Sequence, residues 1–98
     1  MVVQPIFAGA SYSIQDLGNL GRPSAGATDI NELGQVIGWS QTLSWETHAF
    51  LWENGIVTDL GTLPGAFESS ALGINNRGQI VGRSLDEESN PHAILWTR

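Results

Sequence analysis

Short apolar stretches alternate along the chain with turns rich in glycine and asparagine, a pattern that indicates β-strands joined by tight turns. It predicts four strands in residues 26–60, named here A (26–30), B (35–41), C (48–52) and D (56–59). Strands C and D flank Asn54-Gly55, the strongest short signal for a hairpin turn. Gly34, between strands A and B, suits the left-handed backbone of a hairpin with a bulge. We therefore expect antiparallel sheet, and no helix longer than two turns, in this segment.

The second half of the chain repeats the first. Identical residues recur 44 positions later and give the predicted strands A, B and C of a second copy at 70–74, 79–85 and 92–96. The recurring residues of the first copy are Ala27, Ile30, Asn31, Gly34, Gln35, Gly38, Ser40, His48, Ala49, Leu51 and Trp52. Such self-similarity indicates one structural unit used twice. We divide a single domain, residues 1–98, into a first repeat (19–60) and a second repeat (61–98), preceded by a closing strand at about 12–18.

The second repeat has no strand D after its strand C. A matching segment lies upstream instead, because Asp16-Leu17-Gly18 corresponds to Asp59-Leu60-Gly61. The sequence is therefore circularly permuted relative to its own repeat. Residues 12–16 are predicted to pair with residues 91–96 and to complete the sheet that the C-terminal strands begin, since an unpaired apolar edge invites aggregation.

Units of about 40–45 residues with four antiparallel strands are typical of propeller blades. The sequence predicts an all-β fold of two four-stranded antiparallel propeller-like blades, with the N-terminal strand completing a C-terminal blade. Because a propeller has about four to eight blades, either several chains assemble or the two repeats pack as a sandwich or small barrel. We favour a homo-oligomer in which a neighbouring protomer receives the N-terminal strand. A trimer is preferred to a tetramer, since small residues on strand A suit a tight central channel.

The motif DLG.L....A..IN..GQ(V/I)(I/V)G.S, followed by HAFLW..G, resembles the HAF-type extracellular repeat family, named for its His-Ala-Phe triplet. The similarity covers about 85 of the 98 residues. It implies a bacterial protein with tandem propeller-like repeats and a surface, extracellular or periplasmic location, and it implies no established activity. This chain departs from the pattern at Ile94, which replaces the phenylalanine of the second triplet, and at Asp29, which replaces a glycine. Arg83 also stands where the first repeat has Trp39.

Composition narrows the classes of function. The chain has no cysteine and no lysine, and its four arginines and ten acidic residues give a net charge of -6. This charge opposes phosphate neutralisation, so no nucleic-acid partner is expected. A helix needs about 20 apolar residues to span a bilayer, and no apolar run approaches this length, so no membrane role is expected. We expect no metal and no cofactor. The apolar N-terminus ends in small residues like a secretory signal, but it has no basic residue, and we interpret it as an arm packed on the domain.

Ser40 should face His48 if strands B and C pair in register, and Ser84 should face His92. With Asp59 on strand D, this arrangement has the residue types of a Ser-His-Asp triad. A set that recurs in each repeat is better explained as a structural polar clip between strands, because buried polar groups must be paired. We adopt the clip and predict no catalytic residue.

Residues that occur in one repeat only are the better candidates for ligand binding. Trp45, in the loop between strands B and C, could stack on a sugar ring. The loops between strands D and A, residues 19–25 and 62–69, should lie at the same end of the sheets. The predicted ligand-binding residues are Trp39, Trp45, Glu46, Arg22, Phe67 and Glu68. The acidic loop at 85–91 could ligate calcium, although a solvated loop is the simpler interpretation.

Two classes of function remain open. In the first, the chain is a non-enzymatic binding or scaffold module whose homo-oligomer presents loops to a carbohydrate or a protein. In the second, it is a glycoside-acting enzyme that uses loop carboxylates such as Glu46 or Glu68. We predict the first class, because the sequence shows no unique acid-base pair.

Overall fold

The computed structural model describes residues 3–8 and 10–98, with side chains from residue 11 onward. The described chain is all β, as predicted, and contains no helix that is long and apolar enough to cross a membrane. Its strands are β1 (Val3–Ala8), β2 (Ala10–Gln15), β3 (Gly21–Ile30), β4 (Val36–Thr42), β5 (Thr47–Glu53), β6 (Ile56–Gly61), β7 (Ser69–Ile74), β8 (Ile80–Leu85) and β9 (Pro91–Trp96).

These strands form three antiparallel sheets within the described residues. The first repeat is a four-stranded sheet in the order β3-β4-β5-β6, and the second repeat is a three-stranded sheet in the order β7-β8-β9. The predicted strands A to D of the first repeat are β3 to β6, but β3 begins at Gly21, within the segment 19–25 that was predicted to be a loop. The strand at 12–18 is shorter than predicted and pairs with β1 in a hairpin, where the sequence had indicated only an arm. Its last three residues, Asp16 to Gly18, follow the strand.

The turn residues adopt the conformations that their sequence requires. Asn54 and Gly55 both have positive φ, at 50° and 83°, as a two-residue type I′ hairpin demands. Gly34 and Gly78 are left-handed, at 78° and 77°. In the first of these turns the Asn31 side chain accepts hydrogen bonds from the backbone N–H groups of residues 33 and 35, and the Asn at 75 does the same for residues 77 and 79. The repeated Ile-Asn dipeptide is therefore a turn signal.

Gly38 and Gly82 mark the same close approach in the two sheets. Each pairs with an alanine on the preceding strand, and a bulge follows in both cases. A Cβ atom at Gly38 would lie 1.9 Å from the carbonyl oxygen of Gly26, and one at Gly82 would lie 2.1 Å from that of Ser70. No side chain fits at these distances, which explains why both repeats have glycine there.

The hydrophobic core lies between the two sheets. The first repeat contributes Ile37, Ala49 and Leu51, and the second contributes Ala71 and Ile80, all of which are buried. Half-buried apolar side chains at positions 60, 74 and 96 pack around this cluster. Burial of apolar surface between the repeats is thus the main favourable term that joins them.

Hydrogen bonds also join the repeats along the side formed by β3 and β7. The Thr28 hydroxyl donates to the carbonyl of residue 71 at 2.8 Å, and the Asp29 carboxylate accepts from the backbone N–H of residue 74 at 3.0 Å. The Asn31 side chain donates to the carbonyl of residue 75, and Asn76 accepts from the N–H of residue 32. Asp29, which departs from the repeat motif, therefore serves the contact between the repeats.

Candidate functional site

The loop between β4 and β5 presents an exposed tryptophan that is held by an arginine at the start of β3. The Arg22 guanidinium lies 3.5 Å from the centroid of the Trp45 ring, and it also donates to the carbonyl of Leu43 at 3.3 Å. Trp45 has a left-handed backbone, with φ at 65°, and its N–H donates to the carbonyl of Thr42. Its side chain nevertheless stays 69% exposed. The loop therefore fixes a flat aromatic surface at the end of the sheet.

The loop that enters the second repeat lies at the same end. The carbonyl of Phe67 accepts from the N–H of Thr47 at 3.2 Å, and Glu68 forms an isolated parallel bridge with Thr47. Phe67 is 66% exposed, and Leu43 on the neighbouring loop is 71% exposed. The structure thus brings loops of both repeats to one surface. We call the residues Arg22, Leu43, Trp45 and Phe67 the loop cluster.

Glu46 and His48 form an ion-pair system beside the loop cluster. His48 Nε2 lies 2.8 Å from Glu46, and Nδ1 lies 2.9 Å from the Asp59 carboxylate. Both ring nitrogens face carboxylates. Only the doubly protonated imidazolium has an N–H donor for each of them. Burial opposes this charge, but the hydrogen bonds to Glu46 and Asp59 outweigh it and raise the pKa of His48 above its ordinary 6.5.

Ser40 and Ser84 pair in register with His48 and His92, as the sequence predicts. In the described residues, however, no hydrogen bond joins either hydroxyl to its histidine. The Ser40 hydroxyl instead accepts from the N–H of Leu20 at 2.9 Å, and the Ser84 hydroxyl accepts from that of residue 63 at 2.9 Å. Each serine therefore fastens the loop that enters its own sheet. The Ser-His contact that a catalytic triad needs is not formed.

Trp39 lies apart from the loop cluster, within β4. Its indole covers Gly26 on β3, where an added Cβ atom would meet the ring at 2.9 Å. The side chain is half-buried. This contact favours a packing role over the predicted ligand contact.

The acidic loop between β8 and β9 is organised by Asp86. Its carboxylate accepts from the side chain of His92 at 2.8 Å and from the backbone N–H groups of Glu88 and Asn90. The hydrogen bond from His92 is the main cause that lowers the pKa of Asp86 to about 2. Among the described residues, no group of three or more His, Asp or Glu side chains is arranged to hold a metal ion.

Sequence reasoning missed Ser69, a buried link between the repeats. Its hydroxyl accepts from the N–H of Ala49 at 2.8 Å and donates to the carbonyl of Gly61 at 2.7 Å. The first repeat has Ala25 at this position, which pairs with Ser40 as Ser69 pairs with Ser84. A search for polar residues at positions that differ between the repeats would have identified both Ser69 and Asp29.

The loop cluster is a surface, whereas a well-formed cleft in the described part of the chain lies elsewhere. This cleft of about 610 Å³ is formed on the side of the first repeat that faces away from the second, between the N-terminal segment and β4 to β5. Its lining includes Leu17, Ile30, Val36 and Trp52. No pattern in the sequence indicates a cleft there.

Comparison of the chain with models of protein families, with curated proteins and with solved structures finds no match. The resemblance to HAF-type repeats therefore rests on the motif residues alone.

Proposed function

We propose that this chain is a non-enzymatic binding module that presents the loop cluster to a carbohydrate or protein ligand outside the bacterial cytoplasm. The observation that carries this proposal is the Arg22–Trp45 stack. An indole ring that is 69% exposed, yet held by an arginine and by a constrained backbone, is a preorganised contact surface.

The chemistry of the loop cluster suits a saccharide. Sugar rings present apolar C–H faces, which pack on the face of the Trp45 ring that Arg22 does not cover, and hydroxyl groups, which need hydrogen-bond donors and acceptors. Arg22 lies against the same ring and supplies donors. Phe67 extends the apolar surface, and Glu68 beside it supplies a carboxylate. Aromatic and arginine side chains are also enriched at protein interfaces, so the same surface suits a protein ligand.

The surroundings of the loop carboxylates favour binding over hydrolysis. Glu46 already has a cationic partner, because its carboxylate is paired with His48 at 2.8 Å. Glycoside hydrolysis needs a carboxyl group with a raised pKa that acts as the acid, opposite a second carboxylate. The carboxyl groups of the described residues whose pKa values are shifted, Glu53 and Asp86, are both shifted downward by their hydrogen bonds.

The two repeats serve in this proposal as blades of a homo-oligomeric propeller. Each chain supplies two blades, so a trimer has six and a tetramer eight, both within the usual range. We choose the trimer because β3 and β7 would be the innermost strands of such a ring, and their mostly small residues suit a tight central channel. Such a ring repeats the loop cluster once per chain, and several weak sites on one particle bind a repetitive ligand tightly.

Binding to a glycan array tests the function. Trp45→Ala should weaken binding at least about tenfold, since an aromatic contact contributes about 1.5 kcal/mol. Ile56→Ala is the matched control, because Ile56 is 65% exposed but lies at the turn between β5 and β6. Circular dichroism should be unchanged in both variants. Wild-type protein that binds neither glycans nor a protein ligand would refute the proposal. Glycoside turnover that is lost in Glu46→Gln or Glu68→Gln would instead support the glycoside-acting enzyme.

A further inference from the structure

The two repeats differ at one edge. In the first repeat β5 pairs with β6, whereas the equivalent strand β9 pairs only with β8 in the described structure. One row of backbone donors and acceptors on β9 therefore has no partner strand. An open edge of an apolar strand is a site for pairing with another chain.

The N-terminal segment has the local structure of β6, the strand that pairs with β5 in the first repeat. Asp16 corresponds to Asp59 in the repeat, and each carboxylate accepts from the N–H of a glycine two residues later, at 2.9 Å for Gly18 and 2.8 Å for Gly61. Both glycines have a positive φ, at 93° and 78°. The strand before Asp16, β2, uses one edge to pair with β1, and its other edge has no partner strand among the described residues.

The two repeats also differ in the burial of one sheet face, which is covered in the first repeat and uncovered in the second. In the first repeat Ile37 is 0% exposed and Leu51 is 5% exposed, because the second repeat covers them. Their counterparts in the second repeat, Val81 and Leu95, are 52% and 57% exposed. Leu72 on the same sheet is 58% exposed. We call Leu72, Val81 and Leu95 the open face.

The opposite side of the molecule carries a surface that matches the open face. Within the chain, Ala71, Ile74 and Ile80 cover the first repeat. The corresponding positions of the first repeat include Ala27, which is exposed where Ala71 is buried, and Ile30, which is 63% exposed where Ile74 is half-buried. The large cleft lies on this side. The counterpart of Ile80, Val36, is already buried, so each chain has one partly uncovered copy of each half of its own internal interface.

We propose that a second copy of this chain occupies both vacancies: its first repeat covers the open face, and its residues 12–18 add to the edge of β9. This inference rests on the homo-oligomeric assembly proposed above and specifies its interface. The pairing of β5 with β6 gives the register. Transferred by the repeat, it places Ala93 opposite Gly18, Ile94 opposite Asp16, Leu95 opposite Gln15 and Trp96 opposite Ile14 of the second copy.

A charged pair completes this interface. His48 uses Nε2 for Glu46 and Nδ1 for Asp59, whereas His92 uses Nε2 for Asp86 and has no partner for Nδ1 in the described structure. In the proposed register, Asp16 of the second copy stands where Asp59 stands in the first repeat. It therefore accepts from His92 Nδ1.

The contact between copies is weaker than the contact inside the chain. Leu72 and Gly73 stand at the positions of Thr28 and Asp29, so two hydrogen bonds that join the repeats have no counterpart between copies. The bonds made by Asn31 can be retained, because Asn75 is at the same position. Assembly should consequently depend on concentration, whereas the two repeats of one chain stay together.

Cysteine crosslinking tests the register, since the natural chain has no cysteine. A protein with Leu95→Cys and Gln15→Cys should form reducible crosslinked chains under mild oxidation. A control protein with Leu95→Cys and Ile14→Cys should crosslink at least about tenfold less, because neighbouring strand residues point to opposite faces. Equal crosslinking of the two proteins would overturn the proposed register.

Native mass spectrometry tests the charged pair. Asp16→Asn should weaken assembly up to about fivefold, the range for an exposed ion pair. Asp59→Asn is the matched control, because it removes the same contact inside the first repeat and should leave the mass of the assembly unchanged. Unchanged assembly of the Asp16→Asn variant would contradict the proposed contact between Asp16 and His92.

The outcomes separate this inference from the proposals on which it rests. A natively folded chain that stays monomeric at all concentrations overturns both the assembly and its interface. An oligomer that crosslinks equally in both cysteine proteins keeps the assembly and overturns the interface. Ligand binding at Trp45 is measured separately on the glycan array, so neither result decides whether the loop cluster binds a ligand.

Discussion

The two repeats have nearly the same strands and opposite surroundings. The first has four strands and a face that its neighbour in the chain covers, and the second has three strands and the same face uncovered. Ile37 and Val81 occupy equivalent places on equivalent strands, yet one is 0% exposed and the other is 52% exposed. The comparison teaches that burial here depends on whether another unit packs against a sheet rather than on the sheet itself, as in other repeat proteins.

The largest effect should come from the shared glycines, and it should be equal in the two repeats. Gly38→Ala and Gly82→Ala each place a methyl group about 2 Å from a backbone carbonyl oxygen. We expect each to reduce the free energy of unfolding by about 3 kcal/mol or more, since backbone must move. Chemical denaturation measures both. A mild effect at Gly82 alone would show that the second sheet is less rigidly built than the first.

The next effect should separate the repeats. Ile37→Ala opens a cavity between the sheets and should lower the free energy of unfolding by about 2–5 kcal/mol. Val81→Ala should cost less than about 1 kcal/mol in dilute protein, because its side chain is half exposed. At high concentration the cost of Val81→Ala should grow if a second copy covers it. Equal costs in dilute protein would contradict the open face.

The smallest effect concerns pH. A histidine of the first repeat and an aspartate of the second should lose their stabilising contributions at opposite ends of the pH range. The raised pKa of His48 means that its ion pairs stabilise the fold fully below pH 6.5 and lose this effect as pH rises through the raised value. The lowered pKa of Asp86 means that its stabilisation is present above pH 3.8 and is lost as pH falls towards 2. Thermal midpoints of wild type, His48→Gln and Asp86→Asn measure both. The difference from wild type should vanish at high pH for His48→Gln and at low pH for Asp86→Asn.

The sequence predicted the strands well because their signals are local. Asn54-Gly55 and the left-handed glycines determine the turns, and the 44-residue offset carries the first repeat onto the second. The strand pairing of Ser40 with His48 followed from the same register. The hairpin of β1 and β2 was not predicted, since residues 1–13 show neither clear alternation nor a strong turn signal.

Side-chain contacts were harder to predict because they depend on packing between elements distant in sequence. The serine hydroxyls bind backbone N–H groups about 20 residues away rather than the histidines beside them. The sequence predicted that the segments of Arg22 and Trp45 lie at one end of the sheets, but no pattern in it indicated that the guanidinium stacks on the indole ring. Trp39, also unique to the first repeat, covers a glycine instead. Uniqueness in a repeat therefore identifies candidates without distinguishing ligand contacts from packing.

The β1–β2 hairpin has a consequence for the outline of the proposed ring. If β2 becomes the outermost strand of the neighbour's second blade, β1 is carried along as a fifth strand on that blade. The first repeat ends at β6 and has no such addition among the described residues. Blades of four and five strands then alternate around the circumference. The rim has half the rotational symmetry of the blades, so a ring of six blades shows three projections in profile.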